Sequence, residues 1–169
     1  MKLTSVLTTY DSRWTDMFAT EAKRLRPVFG PACVAIYHVG STAVEGLVAK
    51  PEIDVLVIVS DAAALADWQV RLRDLGYRRG RNLVPGHHFF KRDEGVVRTH
   101  KLHVCEDGHA QAHRMLRIRD RLRDNAEDRH AYAALKLWLE KENKTGIAEY
   151  LEGKAPFLDQ LYARCEEES

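Results

Sequence analysis

Residues 38–57 read His-Val-Gly-Ser-Thr-Ala-Val-Glu-Gly-Leu-Val-Ala-Lys-Pro-Glu-Ile-Asp-Val-Leu-Val, and this segment joins two short apolar runs. The run from Cys33 to Val39 is rich in β-branched residues, which predicts a strand. Gly40-Ser41-Thr42 breaks that strand. The run from Glu52 to Val59 predicts a second strand that is apolar on both faces beyond Asp54, which is typical of a central strand. The segment therefore predicts two strands of one sheet, joined by a turn and a loop.

The turn in this segment contains residues suited to binding phosphate. Gly40 permits a tight turn in which backbone N–H groups can approach a ligand closely. Ser41 and Thr42 add hydroxyl donors, and Lys50 supplies a positive charge that can neutralise phosphate. Because Gly-Ser is also common in ordinary turns, the pattern alone leaves a purely structural turn open as the alternative.

Two carboxylates stand at the start of the second predicted strand. Glu52 and Asp54 are two residues apart, so both side chains leave the same face, roughly 6.6 Å apart at the backbone. Carboxylates in this arrangement can share a divalent ion, and magnesium prefers such oxygen ligands together with nucleotide phosphates. The sequence therefore predicts a magnesium site here, and a solvated strand edge is the alternative.

The flanking sequence predicts a small sheet followed by helices. Apolar residues at helical spacing and the breakers between them predict a helix from Ser12 to Arg26, ended by Pro27, Gly30 and Pro31, and a helix from Ser60 to Leu75. Strand-like pieces follow around Tyr77, over 88–91 and over 96–104. Helices are predicted after Gly108, the last of them kinked or broken near Gly153 and Pro156. The order predicts an α+β fold with a helical C-terminal half.

Composition limits the classes of protein that the chain can belong to. The chain has 169 residues, of which 45% are apolar, so we expect a single domain over residues 1–169. It has 26 Lys and Arg against 25 Asp and Glu, a net charge of +1. That balance argues against a large nucleic-acid footprint, although Arg78-Arg79-Gly80-Arg81 is locally basic. Nucleic acid is therefore not an expected partner.

Cysteine usage and hydropathy indicate the cellular compartment in which we expect the protein. Cys33, Cys105 and Cys165 are widely spaced and form no Cys-x-x-Cys pair, so neither a disulfide framework nor a zinc site is expected. The first ten residues lack the apolar run of a signal peptide, and no run approaches the roughly 20 apolar residues of a membrane helix. We therefore expect a cytoplasmic protein without a membrane partner.

Several motifs along the chain resemble those of the GrpB family. They extend in order from about Tyr10 to the C-terminal helix: His38-Val-Gly-Ser-Thr-Ala-Val44, Gly46-Leu47, Ala49-Lys50-Pro51, Ile53-Asp54, Leu102-His103-Val104, Arg119-Asp120, Leu122-Arg123 and Tyr132-Ala-Ala-Leu-Lys136. The resemblance implies the fold of the nucleotidyltransferase superfamily typified by DNA polymerase beta, a small mixed sheet flanked by helices. The family also occurs fused to dephospho-CoA kinase.

The superfamily pattern assigns roles to particular residues. It places Gly-Ser after a strand and an acid-x-acid pair on the next strand, which Gly40-Ser41 and Asp54 match. The second acid position holds Leu56, so Glu52, two residues before Asp54, is our candidate replacement. The resemblance places His103 at the position of the superfamily's last carboxylate. A histidine there can complete a metal site, act as a general base, or be hydrogen-bonded inside the sheet.

Weaker signals lie elsewhere in the chain. His87 and His88 are adjacent on a predicted strand and face opposite sides, so they cannot chelate a metal as a pair. His100 is expected to be structural or at the surface. The Arg119-Asp120 pair is predicted to tie a helix to the sheet, and the alternative is that Arg119 reaches a triphosphate. Lys136 shares a helix face with Tyr132, and it either lines the cleft or is solvated.

Two functions follow as hypotheses. The first is a nucleotidyltransferase-fold enzyme that uses Mg²⁺ and transfers a nucleotidyl or phosphoryl group from a nucleoside triphosphate to an unknown small acceptor. Gly40, Ser41, Thr42 and Lys50 would hold phosphate, Asp54 and Glu52 the metal, and Asp54, Glu52 and His103 would serve catalysis. The second is a catalytically inactive module that binds a nucleotide or a partner, with a link to coenzyme A metabolism by analogy with the fused kinase.

Overall fold

A five-stranded mixed sheet forms the centre of the fold. The computed structural model describes residues 6–168. The strands are β1 Cys33–Val39, β2 Ile53–Val59, β3 Tyr77–Arg79, β4 His87–Glu94 and β5 Val97–Glu106. Their order across the sheet is β1-β2-β5-β4-β3. Only β2 and β5 pair in parallel, and every other neighbouring pair is antiparallel. The predicted α+β fold with a small mixed sheet is confirmed.

Helices flank the sheet and form the C-terminal half of the chain. They are α1 Arg13–Phe29, α2 Leu65–Asp74, α3 Ala110–Asp124, α4 Ala126–Glu142 and α5 Ile147–Glu167. The helix continues past Pro27 to Phe29 and is capped by Gly30, which has a φ of 53°, so of the predicted breakers Gly30 ends α1 and Pro27 does not. Proline in the last turn removes one helical hydrogen bond without ending the helix.

No break interrupts the last helix, because α5 is helical throughout, from Ile147 to Glu167, with Pro156 inside it. Gly153 has a packing role instead. A Cβ atom at this position would lie 2.3 Å from Cδ2 of Leu139 on α4. The glycine thus lets α4 and α5 approach closely.

The two faces of the sheet differ in what covers them. Alternation along β2 directs Val55 and Val57 into a core shared with α1 and α2. The opposite face carries Asp54 and Leu56. Leu56 is fully buried in a cluster with Ala112 of α3. The superfamily's second acid position is therefore part of the apolar core, and Asp54 lies on the same face at the end of the strand.

The turn after β1 packs against the C-terminal helices. Val44 and Leu47 share a buried cluster with Leu122 of α3, Tyr132 of α4 and Leu161 of α5. This contact places the helical half over the edge of the sheet where β1 ends and β2 begins. None of the helices in residues 6–168 is long and apolar enough to cross a membrane.

A buried ion cluster connects α1 to the far strands. Glu21 is only 2% exposed. Its carboxylate accepts hydrogen bonds from the Tyr77 hydroxyl and from the Arg92 guanidinium, both at 2.9 Å. Arg92 also donates to a ring nitrogen of His100 at 2.8 Å, which requires a neutral imidazole. His100 is therefore structural, as predicted.

We expect acid to destabilise the fold before the carboxylates titrate. Burial lowers the pKa of His38, His87 and His100 to about 4, whereas these side chains titrate near 6.5 in the unfolded chain. Between these values the unfolded chain binds more protons, so the free energy of unfolding falls as pH falls through this window.

The loss is about 3 kcal/mol per histidine. Urea unfolding at a series of pH values between about 7 and about 4 measures it. His100→Gln should reduce the slope by about one proton. A free energy of unfolding that stays constant across this window would contradict the prediction.

Candidate functional site

A cavity of about 280 Å³ lies between the edge of the sheet and helices α3, α4 and α5. Most of the residues predicted as a site line it: Gly40, Ser41, Thr42, Lys50, Glu52, Asp54 and His103. The C-terminal helices add others, among them Arg114, Arg119, Tyr132, Lys136, Tyr150 and Lys154. Residues far apart in the sequence thus meet in one cavity.

Close contact between Gly40 and Asp54 fixes the geometry of this cavity. Gly40 has a φ of 74°, and a Cβ atom there would lie 2.6 Å from Oδ2 of Asp54. Any side chain at position 40 would therefore collide with the carboxylate and also strain the backbone. The glycine of the Gly-Ser turn is needed because the turn packs directly against Asp54.

Hydrogen bonds orient the Asp54 carboxylate through two histidines. The Leu83 backbone N–H donates to Nδ1 of His87 at 3.1 Å. The neutral His87 ring must then carry its proton on Nε2, which lies 2.9 Å from Nδ1 of His103. His103 in turn carries a proton on Nε2 and donates to Oδ1 of Asp54 at 3.3 Å. Both ring nitrogens of His103 are engaged, and this arrangement favours positioning of Asp54 over activation of an acceptor.

Lys101 lies beside the two predicted metal-binding carboxylates. The parallel register pairs Asp54 with Lys101 on the neighbouring strand. The ammonium nitrogen of Lys101 is 2.7 Å from Oε2 of Glu52. Despite burial, the pKa of Asp54 is lowered by the charge of Lys101 and by the bond from His103. Both carboxylates thus face the cavity as predicted, but with an ammonium ion between β2 and β5 to neutralise them.

The two hydroxyl residues of the turn differ in their contacts. Thr42 is buried, and its hydroxyl lies 3.4 Å from the Glu52 carbonyl oxygen, to which it donates, and 2.9 Å from Nε2 of His38. This hydroxyl therefore supports the turn. Ser41 is half-buried and its side chain hydrogen-bonds with Tyr132 of α4. Of the two, Ser41 is the one better placed to meet a ligand.

Three lysines approach two tyrosine rings on the helical side of the cavity. The ammonium nitrogens of Lys50 and Lys154 lie 4.4 Å and 4.7 Å from the ring centroid of Tyr150. Lys136 is 2% exposed, donates to the Val48 carbonyl, and lies 5.1 Å from the Tyr132 centroid. Aromatic faces attract cations, but they do not supply the hydrogen-bond acceptors that ammonium groups require.

The cavity has an excess of positive charge. Its lining contains four lysines against two carboxylates, Glu52 and Asp54. Two arginines also line it, but each is paired with a carboxylate outside the cavity lining. The ammonium of Lys50 is enclosed and has no hydrogen-bond acceptor within residues 6–168. Burial and the charges of Lys154, Lys101 and Lys50 lower the pKa of Lys136 to about 7. A cavity with this charge distribution is suited to an anion.

The residues present do not fit a magnesium centre of the superfamily type. Leu56 is buried where the second acid would stand, and the His103 nitrogens face His87 and Asp54. Glu52 is paired with Lys101. In the described part of the chain no group of three or more His, Cys, Asp or Glu could hold a metal ion. A magnesium ion here would have one oriented carboxylate and several lysines close by.

The structure also shows what is contacted by the residues whose sequence signals were weaker. Arg119 pairs with Asp120 at 2.7 Å and donates to the His38 carbonyl at 3.1 Å, so it ties α3 to β1 as predicted. Lys136 lines the cavity and is not solvated. His88 contacts Arg79, away from His87, as the strand alternation requires.

Comparison with known proteins relates this chain to one family of sequences. The sequence profile of the family described as "GrpB protein" matches residues 4–164. The chain is 36% identical over 150 residues to the UPF0157 protein YqkA of Bacillus subtilis, covering 88% of this chain and 43% of that protein. It is 37% identical over 159 residues to the UPF0157 protein BH1888 of Halalkalibacterium halodurans, covering 92% and 80% of the two chains.

Solved structures support the same fold. The conserved protein GrpB from Enterococcus faecalis superposes with a TM-score of 0.89 at 28% identity, over 96% of this chain and 98% of that chain. The Cid1 poly(U) polymerase superposes with a TM-score of 0.58 at 12% identity, over 87% of this chain and 49% of that chain. The second likeness shows only the fold, which is nucleotidyltransferase-like. With the profile match over nearly its whole length and relatives above one-third identity, the chain belongs to the GrpB family.

Proposed function

We propose that this chain binds a nucleoside triphosphate, with the polyphosphate placed among the lysines of the cavity. The observation that carries the proposal is the enclosed ammonium of Lys50, which has no hydrogen-bond acceptor in the described residues. An ammonium that is buried without a hydrogen-bond acceptor is destabilised in the absence of a ligand. Phosphate oxygens supply the acceptors and the negative charge that the site lacks.

The charges of the lysines support the same ligand class. Burial and neighbouring lysines lower the pKa of Lys154 to about 8 and that of Lys136 to about 7. Each ammonium is therefore less stable in the free protein than it is in water. A polyphosphate would reverse this effect by adding negative charge beside them. Ser41, which borders the same cavity, would donate its hydroxyl to a terminal phosphate.

The fold also supports a nucleotide. The Cid1 polymerase, which shares the fold, has been solved with the UTP analogue UMPNPP and with 3'-dATP. The cavity volume of about 280 Å³ is at the lower end for small-molecule sites. We therefore propose that the enclosed part of the cavity holds the phosphates and the ribose, and that the base lies at the mouth of the cavity.

Transfer of a nucleotidyl or phosphoryl group to a small acceptor is the catalytic form of this proposal. The Asp54 carboxylate would take the proton of an acceptor hydroxyl. The acceptor oxygen would then form a bond to phosphorus as the bond to the bridging oxygen breaks, with release of pyrophosphate or a nucleoside diphosphate. Lysine ammonium groups would stabilise the charge on the leaving phosphate. In this form His103 is a positioning residue for Asp54.

Binding without turnover is the second candidate function. Two observations favour it: Leu56 is buried at the second acid position, and both ring nitrogens of His103 are engaged. In this form the chain is a nucleotide- or partner-binding module. A role beside an enzyme of coenzyme A metabolism would then be an accessory one.

Calorimetric titration with ATP, GTP, CTP and UTP tests the shared part of the proposal, and release of pyrophosphate or of a nucleoside diphosphate in the same samples separates its two forms. We expect binding that Lys50→Met weakens by about tenfold or more. The matched control is Lys23→Met, since Lys23 is exposed on α1. Binding with release indicates transfer, and binding without release indicates the module. If none of the four triphosphates binds, the proposal is wrong.

Nucleotide affinity should fall as pH rises above neutrality. Lys136 and Lys154 have pKa values of about 7 and about 8 in the free protein, so both lose their protons between about pH 7 and about pH 9. The bound polyphosphate favours the protonated forms, and binding in this range should therefore take up protons. Calorimetry in buffers of different ionisation enthalpy measures that uptake. An affinity that rises with pH would contradict the assignment of these lysines.

Replacing Lys154 should stabilise the free protein and weaken binding together. Its pKa is lowered by burial, so its charge disfavours folding at neutral pH, and removing the charge relieves this effect. We expect Lys154→Met to raise the free energy of unfolding by on the order of 1 kcal/mol at about pH 7. We also expect ATP affinity to fall by about tenfold.

Urea unfolding and calorimetry measure these two changes. Lys141→Met is the control, since Lys141 is exposed at the end of α4. A variant that is less stable than the parent, or that binds ATP equally well, would count against the prediction.

A further inference from the structure

Lys101 lies where the sequence predicts a divalent cation. The predicted magnesium ligands are Asp54 and Glu52, and both face the cavity. Lys101 is the neighbour of Asp54 in the parallel β2–β5 pairing, and its ammonium is 2.7 Å from Glu52. The ammonium is thus a positive charge paired with Glu52 and placed on the strand beside Asp54.

We propose that Lys101 is a built-in cation that replaces the divalent metal, so that the cavity takes its polyphosphate ligand in the metal-free form. The identity of the ligand in this proposal rests on the function proposed above. The replacement of the metal by Lys101 does not rest on it. The ligand class is a nucleoside polyphosphate anion, which the protein recognises without magnesium between its phosphates and the carboxylates.

Electrostatics around the carboxylates favours this arrangement. A magnesium ion that bound both acids would have to displace the Lys101 ammonium from Glu52, and it would then lie in a cavity that also contains Lys50, Lys136 and Lys154. Like charges at a few ångströms repel by several kcal/mol when solvent is partly excluded. Magnesium also releases its water reluctantly. The lysines therefore disfavour the ion that the sequence pattern predicts.

The same charges suit a free polyphosphate. With Lys101 neutralising the two acids, the remaining lysines can contact phosphate oxygens directly. A triphosphate bound to magnesium carries less net negative charge than the free anion, so these lysines attract it less strongly. In the fold neighbour Cid1, by contrast, structures hold GTP or 3'-dATP together with magnesium. The two proteins would thus share a fold and differ in how phosphate charge is compensated.

Titration with Mn²⁺ alone tests the replacement without reference to any nucleotide. Electron paramagnetic resonance of free Mn²⁺ measures binding to the full chain. We expect the parent protein to bind the ion at least about tenfold more weakly than Lys101→Met, in which both carboxylates face the cavity without the ammonium. Adding Glu52→Gln to that variant should abolish the gain. Lys23→Met, on the opposite side of the sheet, is the matched control and should behave as the parent does.

Titration with ATP in the presence of EDTA or of excess Mg²⁺ tests the ligand form on the parent protein, so it remains decisive if Lys101→Met does not fold. We expect the affinity in EDTA to equal or exceed that in magnesium. Stoichiometric Mn²⁺ binding by the parent, or ATP binding that requires magnesium, would overturn the proposal. If ATP binds under neither condition, the proposed function fails, and the Mn²⁺ titration still decides whether Lys101 replaces the metal.

Discussion

The contact between Gly40 and the Asp54 carboxylate is the constraint on which the site depends. It is possible only because position 40 has no side chain and adopts a φ of 74°. The contact joins the end of β1 to the start of β2, and it sets the direction of the following turn. That turn carries Val44 and Leu47 into the core of the C-terminal helices. One close approach therefore fixes both the carboxylate and the helices that enclose it.

Local sequence patterns were sufficient for the sheet and for the residues beside it. The strands on either side of Gly40 and the cluster of Ser41, Lys50 and Asp54 were predictable because turn residues and alternation act over short distances. Lys154 and Tyr150 were missed because they come from a helix about a hundred residues away, and amphipathic spacing does not say what a helix face covers. The sequence shows lysines and tyrosines along α4 and α5, but it does not show which of them face the cavity.

The helices α1 and α5 continue past a proline for a related physical reason. Pro27 and Pro156 each remove one backbone donor, a local penalty that the sequence shows directly. Burial outweighs it: Val28 and Phe29 are in the core beyond the first proline, and Leu161 is fully buried beyond the second. Tertiary packing that the sequence does not display thus extends both helices.

Two histidines orient the Asp54 carboxylate beside the Gly40 turn, and its charge bears on what the site can do. The Leu83 backbone N–H fixes the proton of His87, His87 fixes that of His103, and His103 then presents a donor to Asp54. Burial lowers the pKa of His87 to about 4, which keeps this proton order at neutral pH. An acidic group fixed by three successive hydrogen bonds, beside an ammonium that lowers its pKa, remains ionised and directed toward the cavity. A lowered pKa keeps Asp54 charged but weakens it as a proton acceptor, which favours the binding form of the proposed function over the transfer form.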